Sequence, residues 1–174
     1  AQIIIDRFHV VRCCTEAMEN VRRSFQASLP REQRRYFKRS RRLLLAHRER
    51  LSDEDRAAVD VLLCFSEKLL QAYALKEAFY HFMDAPDRLA ASQRLDFWLD
   101  ACDRLDLPEF ESCRKTLVNW KPYILNAFDF RLSNGFTEGC NNAIKTLKRV
   151  AFGFRNFRSF RARILLSLGA YPNI

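Results

Sequence analysis

Apolar residues recur along most of this chain at the three- and four-residue spacing of one helix face. From Phe8 onward this spacing predicts a helix that ends before Pro30. A capping run at 52–55 predicts a long helix through about residue 82. Further helices are predicted over about 31–50, from the break at 84–87 to 105, and over 108–128, 137–151 and 157–168, with a turn at 132–135. The chain is therefore predicted to be mainly helical, with Leu70, Trp98 and Trp120 in its core.

The opening run Ile3-Ile4-Ile5 is the exception to the helical pattern. It is wholly apolar and β-branched, which predicts a buried strand. Nothing later in the chain offers a convincing second strand. Two interpretations stay open: the run is the last strand of a sheet whose earlier part precedes Ala1, or it pairs with the same run of a second copy.

The formal net charge of +9 is unevenly spread along the sequence. Residues 31–50 hold nine Lys or Arg against two acids, residues 51–112 hold six against fourteen, and residues 138–174 hold seven against one. Basic ends around an acidic middle indicate a polyanion-binding surface and a separate solvated lobe. Basic runs are often only solvated faces, so nucleic-acid binding and plain solvation both remain open on charge alone.

Composition excludes several classes of protein. The chain has no apolar run of the length that spans a membrane, about 18 residues or more, and no recognisable secretory leader is expected at its start. Its six cysteines lack zinc-ligand spacing, which favours reduced, mostly buried thiols in a cytosolic protein. With 174 residues, the chain is one domain by size, or a small core with an added helical lobe.

The segment 133–149 carries the most specific chemistry. It places Glu138 at the opening turn of a helix, with Asn141 or Asn142, Lys145 and Arg149 on the same face. An acid on a helix that then becomes basic suits a metal ligand beside a phosphate backbone. The alternative is an acidic start and a basic end that simply complement the helix dipole, and spacing alone favours that alternative. The opposite face has core-like spacing and carries Cys140, Ala143, Ile144, Leu147 and Ala151.

The tail from 152 to 163 alternates aromatic residues with arginines. Aromatic rings can stack on bases while arginines bind phosphates. The alternative is an amphipathic helix with its rings in a core, and helical spacing favours that for Phe157 and Phe160. The arginines remain candidates for phosphate binding; they are Arg155, Arg158, Arg161 and Arg163.

Three segments carry a resemblance to a known family. The stretch 133–165 resembles the C-terminal end of bacterial insertion-sequence transposases of the ISL-three family. The opening 3–11 is similar to that family's strand ending in Asp-x-x-His, and 74–79 fits the helical segment between them. The resemblance implies a DDE recombinase with a ribonuclease H-like α/β core, two metal ions (Mg²⁺ or Mn²⁺) and DNA as its substrate.

The resemblance also implies roles for individual residues. Glu138 matches the third catalytic, metal-binding carboxylate of the family, and Lys145 matches a cation beside the DNA backbone. Asp6 and His9 match the Asp-x-x-His motif and are expected to be orienting or structural, with Asp6 alternatively a metal-binding catalytic aspartate. Asn141 and Asn142 match an Asn pair with an inferred supporting role. The further DNA-binding candidates are Lys148, Arg149, Arg155, Arg158 and Arg161.

The expected organisation follows from these matches. Residues 1–9 are expected to be the last strand of the core, 10–131 an all-helical insertion lobe, and 132–174 the C-terminal core helices. The catalytic aspartates are expected upstream of residue 1, so this chain alone is not expected to cleave DNA. The protein is expected to be cytoplasmic and nucleoid-associated in a bacterium, with DNA as partner, a homo-oligomeric state, no membrane and no small-molecule substrate. The alternative is a non-catalytic helical DNA-binding or oligomerisation protein.

Overall fold

A computed structural model describes residues 3–130 and 135–168, and all side chains within them except those of residues 36, 38, 130 and 135–138. Within these ranges the backbone forms nine α-helices and one 3-10 turn at Arg48–Arg50. The helices are α1 (Arg7–Ser28), α2 (Arg31–Arg39), α3 (Arg41–Leu45), α4 (Asp53–Leu63), α5 (Glu67–Met83), α6 (Arg88–Leu105), α7 (Pro108–Phe130), α8 (Gly135–Val150) and α9 (Phe157–Leu168). The predicted turn at 132–135 lies largely outside the described residues.

The N-terminal strand predicted from the sequence is wrong. Residues 3–130 and 135–168 contain no strand, so the expected ribonuclease H-like α/β core is not found in these parts of the chain either. The isoleucine run lies against α7 instead: the Ile5 amide donates to the Tyr123 carbonyl at 3.3 Å, and the Asn126 side chain donates to the Ile3 carbonyl at 2.8 Å. A strand needs a neighbouring strand to take its backbone hydrogen bonds, and here a helix supplies the partners.

Two long predicted helices are divided in the structure. The basic stretch 31–50 forms α2, α3 and the 3-10 turn, and the stretch 53–82 breaks between α4 and α5. The second break follows from Ser66, whose hydroxyl accepts a hydrogen bond from the Leu69 amide at 3.2 Å and so starts a new helix. Ser52 caps α4 in the same way, as its sequence predicts.

The chain divides into two compact units, Ala1–Arg131 and Leu132–Ile174. In the first unit α1 packs against α5 and α7, and α6 packs against the same two helices. Trp98 is fully buried, as predicted, with its ring 5.5 Å from that of Phe79 and its indole N–H donated to the Leu75 carbonyl at 2.8 Å. Trp120 is 46% exposed, so its predicted place in the core is wrong. The core prediction is likewise wrong for Leu70, which is exposed.

The six cysteines are free thiols, as predicted. Cys14, Cys102 and Cys113 are buried, and burial raises the pKa of the Cys102 thiol to about 12. The buried thiols therefore behave as small apolar residues of the core. Among the described residues, no helix is long and apolar enough to span a membrane.

In the second unit α8 packs against α9. The three-part division expected from the sequence is not tested by these contacts and stays a prediction.

Candidate functional site

Helix α8 carries most of the residues singled out in the sequence. Glu138 lies in its first turn, but the Glu138 side chain lies outside what the structure describes. A helix turns about 100° per residue, so Asn142, Lys145 and Arg149 follow Glu138 within about 40° of one line along the helix. The side chains of these three residues are exposed, and so are those of Asn141 and Lys148 on the flank of the same face.

The opposite face of α8 is distinctly less exposed. All five residues predicted for it are half-buried; they are Cys140, Ala143, Ile144, Leu147 and Ala151. The prediction of a two-faced helix is therefore confirmed for the described side chains. A polar and basic face directed to solvent is able to contact an anionic ligand without disturbing the packing below it.

Helix α8 ends in a Schellman motif, the hydrogen-bonded turn that closes many helix C-termini. The Gly153 amide donates to the Lys148 carbonyl and the Phe152 amide to the Arg149 carbonyl, both at 3.1 Å. Phe152 occupies the left-handed position with a φ of 51°, which is uncommon for a bulky residue and costs about 1 kcal/mol. The Phe152 side chain is fully exposed, so the motif directs an aromatic ring into solvent beside the basic face.

The arginines of the tail are all exposed, but the aromatic residues there behave differently from one another. Phe157 is 74% exposed, so the core position favoured for it by helical spacing is wrong. Phe160 is half-buried and its ring lies 4.8 Å from that of Phe154. The exposed arginines on this segment are Arg155, Arg158, Arg161 and Arg163.

Positive charge in this part of the chain has almost no acidic counterpart. Glu138 is the only acid between 132 and 174, against seven Lys or Arg. Between the described side chains of residues 139–168 there is consequently no ion pair. Uncompensated, exposed cations of this kind are the usual means by which proteins bind nucleic-acid phosphates.

Asp6 lies at the start of α1 and acts as its N-cap. Its carboxylate accepts a hydrogen bond from the Phe8 amide at 3.1 Å, which satisfies one of the free donors of the first turn. The His9 Nε2 atom lies 4.0 Å from the Asp6 carboxylate, and the His9 side chain is 70% exposed. Capping is thus a structural task that Asp6 demonstrably performs, while the orienting role of His9 and metal binding by Asp6 stay predictions.

The described residues do not fit a metal site on their own. Among them, no group of three or more His, Cys, Asp or Glu side chains lies close enough together to hold a metal ion. A two-metal centre requires several carboxylates around cations about 4 Å apart. No catalytic step through a metal is therefore derived from these residues.

The segment 74–79 lies on α5; it is part of the resemblance but was given no role from the sequence. It contains a buried lysine, Lys76, whose hydrogen bonds and ion pair we call the Lys76 centre. Lys76 is fully buried; its ammonium donates to the Ala46 carbonyl at 2.5 Å and pairs with the Glu77 carboxylate at 2.5 Å. The Glu77 carboxylate also accepts from the Arg48 amide at 3.1 Å. Burial lowers the pKa of the Lys76 ammonium, and Glu77 opposes that effect. These contacts hold the turn at 46–48 against α5. In the sequence, the sign of this feature was a lysine at a position of the helix where apolar core residues are expected.

A polar cleft of about 730 Å³ lies beside this centre in the first unit. His47, which is buried, has its Nε2 atom 3.7 Å from the Asp84 carboxylate and 3.9 Å from that of Glu77. Its ring lies 4.8 Å from the Tyr80 ring. The mixed charges of the cleft do not single out an anionic or a cationic ligand.

Comparison with known proteins connects these features. The family model of the ISL-three (ISL3) type, which carries the description "Transposase", matches residues 1–164. The chain belongs to the ISL-three family of transposases. It is 29% identical, over 94% of its length, to the transposase for insertion sequence element IS1001 of Bordetella parapertussis. It is 28% identical, over 95% of its length, to the transposase for insertion sequence element IS1557 of Mycobacterium tuberculosis.

The chain spans less than half of the relatives that it matches. It covers 41% of the IS1001 transposase and 42% of the IS1557 transposase. A Lactococcus lactis subsp. lactis protein named ATP-dependent protease is 34% identical over 77% of the chain, which covers 39% of that protein. The names differ, and the match of the ISL-three model to nearly the whole chain decides the family. No solved structure matches the chain.

Proposed function

We propose that this chain is the part of an insertion-sequence transposase that binds DNA and contributes Glu138 to strand cleavage and transfer. The observation that carries the proposal is helix α8: an exposed face of amides and cations follows Glu138 on a unit whose positive charge has no other acidic counterpart. Membership in a transposase family supports DNA as the substrate. The relatives are more than twice as long as this chain, so the remaining catalytic groups are proposed to lie elsewhere in a longer protein.

The exposed cations have a physical task in this proposal. Lys145 and Arg149 would bind phosphates of the strand that lies along α8, and the arginines of the tail would extend that contact. Phosphate contacts fix the register of a protein on DNA without reading its sequence. The role of Asn141 and Asn142 is then to donate hydrogen bonds to the same backbone or to support Glu138.

Mg²⁺ or Mn²⁺ is proposed as the cofactor only for a protein in which further carboxylates join Glu138. Hard divalent cations prefer oxygen ligands, and carboxylates are the side chains that supply them. The family supports the use of a divalent metal, while the described residues do not form the site. Asp6 is the weaker candidate for a ligand because its carboxylate is already engaged as a helix cap.

Substitution of Glu138 in a full-length transposase containing this chain tests the proposal. We expect Glu138→Gln to lower strand transfer by about 100-fold or more, the size usual for loss of a group that acts in the transition state, and to leave the Kd for transposon-end DNA unchanged. Glu54→Gln is the matched control, because Glu54 also lies in the first turn of a helix and its own side chain is exposed. Full strand transfer by the Glu138→Gln protein would show that the catalytic role is wrong.

A non-catalytic DNA-binding protein is the second candidate function. Membership in a transposase family does not favour this alternative, and the same substitutions distinguish it from the first candidate. In that case Glu138→Gln has no effect on any DNA reaction, while substitution of Lys145 and Arg149 by Gln still weakens DNA binding. The expected homo-oligomeric state stays a prediction, and light scattering of the purified chain would measure it.

A further inference from the structure

Helix α2 carries a row of three arginines that have no hydrogen-bond or ion-pair partner among the described residues. Arg31, Arg35 and Arg39 are spaced four residues apart, so they lie on one face of the helix, about 6 Å apart along its axis. The side chains of all three are exposed. None of them makes an ion pair or a hydrogen bond with another described residue. We call this row the α2 arginine stripe.

The neighbouring basic residues are used differently. The sequence shows nine Lys or Arg between 31 and 50 without indicating which of them are available to a ligand. In the structure, four of them have internal partners, which are backbone carbonyls in one case and carboxylates in the other three. These are Arg34 with the carbonyls of Leu29 and Ala27, Arg41 with Glu19, Arg42 with Asp55, and Arg48 with Asp60.

The face of α2 opposite the stripe is fixed to the first unit. Phe37 lies about 160° around the helix from Arg35 and is only 1% exposed. Its ring contacts those of Phe25 and Phe65 at centroid distances of 5.0 and 5.6 Å. The Phe37 carbonyl accepts a hydrogen bond from the buried guanidinium of Arg22 at 3.0 Å. These contacts fix the opposite face of α2 and leave the stripe directed away from the core.

We propose that the α2 arginine stripe binds the phosphate backbone of duplex DNA, as a second DNA contact separate from the cations of α8 and α9. This inference rests on the proposed function, since it assumes that the chain acts on DNA. Arginine forks match phosphate oxygens, and contacts to phosphates need no particular base sequence. Like charges four residues apart repel each other along a helix, and a bound polyanion relieves that repulsion. The acid nearest to the stripe on α2 is Glu32, at its edge in the first turn.

The salt dependence of DNA binding tests the stripe quantitatively. The measurement is fluorescence anisotropy of a labelled duplex of arbitrary sequence, titrated with the full 174-residue chain between 50 and 200 mM salt. The slope of log K against log salt is negative. Loss of three phosphate contacts in the variant R31Q/R35Q/R39Q is expected to make it shallower by about 2.7. Over this fourfold range of salt, the affinity of the variant then changes about 40-fold less than that of the native chain.

A matched variant controls for the loss of net charge. R12Q/R104Q/K115Q removes three other exposed cations of the first unit, and its salt slope is expected to stay close to that of the native chain. The variant R31K/R35K/R39K keeps the charges and is expected to keep the slope, which separates phosphate binding from a change in folding. Equal slopes for the two Gln triple variants overturn the proposal.

A variant of α8 and the native chain itself separate failure of this inference from failure of the proposed function. If K145Q/K148Q/R149Q loses affinity and the stripe variant does not, DNA binding through α8 stands and the stripe is overturned. If the native chain does not bind the duplex at all, both the DNA-binding part of the proposed function and the stripe fail.

Glu32→Gln removes the acid at the edge of the stripe and is expected to tighten binding by about twofold to fivefold, so unchanged or weaker binding counts against the stripe.

Discussion

The two units of this transposase chain are stabilised in different ways. The first unit buries large side chains such as Trp98 and Phe82, and it pairs its buried charges, Glu19 with Arg22 and Lys76 with Glu77. In the second unit, no described side chain of residues 139–168 is buried. Short helices are marginally stable in water without tertiary packing. The first unit is therefore held by its own core, while the described part of the second has only local hydrogen bonds and half-buried contacts.

The two units also differ in how far their positive charges are paired within the chain. Four arginines of the first unit's basic segment are bound internally, and its middle part is acidic. The candidate site of the second unit presents exposed cations with a single acid. The comparison shows that positive charge along the sequence is a poor measure of the charge available to a ligand. The stripe on α2 is the part of the first unit that resembles the second in this respect.

The largest effect is expected from truncation of the core of the first unit. Trp98→Ala removes a fully buried ring and its hydrogen bond to the Leu75 carbonyl, so it is expected to lower the free energy of unfolding by about 4 kcal/mol. Trp120→Ala is the matched control, at 46% exposure, and is expected to cost about 1 kcal/mol or less. Urea denaturation followed by circular dichroism measures both. Similar losses in the free energy of unfolding for the two variants would contradict the placement of Trp98 in the core.

An intermediate effect, dependent on pH, is expected from the buried carboxylate of Glu19. Burial opposes its ionisation, but hydrogen bonds from Arg22 and Arg23 and the charge of Arg41 outweigh burial and lower its pKa. The folded pKa is thus below the unfolded value of about 4.3, so the contribution of Glu19 is complete above that pH and is lost as the pH falls through the folded pKa. Glu19→Gln is expected to destabilise the unit by about 3 kcal/mol at neutral pH.

The difference between native chain and Glu19→Gln is expected to shrink as the pH falls below about 4. Denaturation curves at a series of pH values from neutral to acid measure it. Glu54→Gln, at an exposed acid, is the control and is expected to change the free energy of unfolding by about 0.5 kcal/mol or less at neutral pH. A constant difference across the whole series would rule out the ionised Glu19 as the source of the stabilisation.

The smallest effect is expected in the second unit, at the C-terminal end of α8. Phe152→Gly relieves the left-handed backbone of Phe152 and is expected to stabilise the end of α8 by about 1 kcal/mol. Amide hydrogen exchange in the last turn of α8 measures the change. Phe157→Gly is the matched control: Phe157 is also exposed but is the first helical residue of α9, so glycine there is expected to destabilise α9 by about 0.5 kcal/mol or less. If the two substitutions change stability with the same sign, that result would argue against strain at Phe152.

Helices were the most predictable part of this molecule. The predicted helix at 157–168 coincides with α9, and the two faces of α8 follow from the spacing of its apolar residues. The division of the stretch 53–82 was missed, although Ser66 was a visible capping signal within it. A local signal inside a long apolar pattern is easily overlooked, because the pattern on either side remains helical.

The predictions that failed depend on partners far away in the sequence. The isoleucine run has the composition of a strand, yet its backbone bonds go to α7, more than a hundred residues later. Trp98 and Trp120 look alike in the sequence, and only the packing of α6 and α7 decides which of them is buried. Lys76 shows the same dependence: its burial is made possible by the Ala46 carbonyl and Glu77.

By itself, the amino-acid sequence determined the helical character of the chain, the two faces of α8 and the family to which the chain belongs, because these depend on spacing and residue type along a short stretch. The tertiary structure alone decided where the isoleucine run finds its hydrogen-bond partners and which arginines of 31–50 are paired within the first unit. The physical reason is that a buried polar or charged group needs a partner, and that partner is supplied by the folded chain and not by neighbouring positions in the sequence.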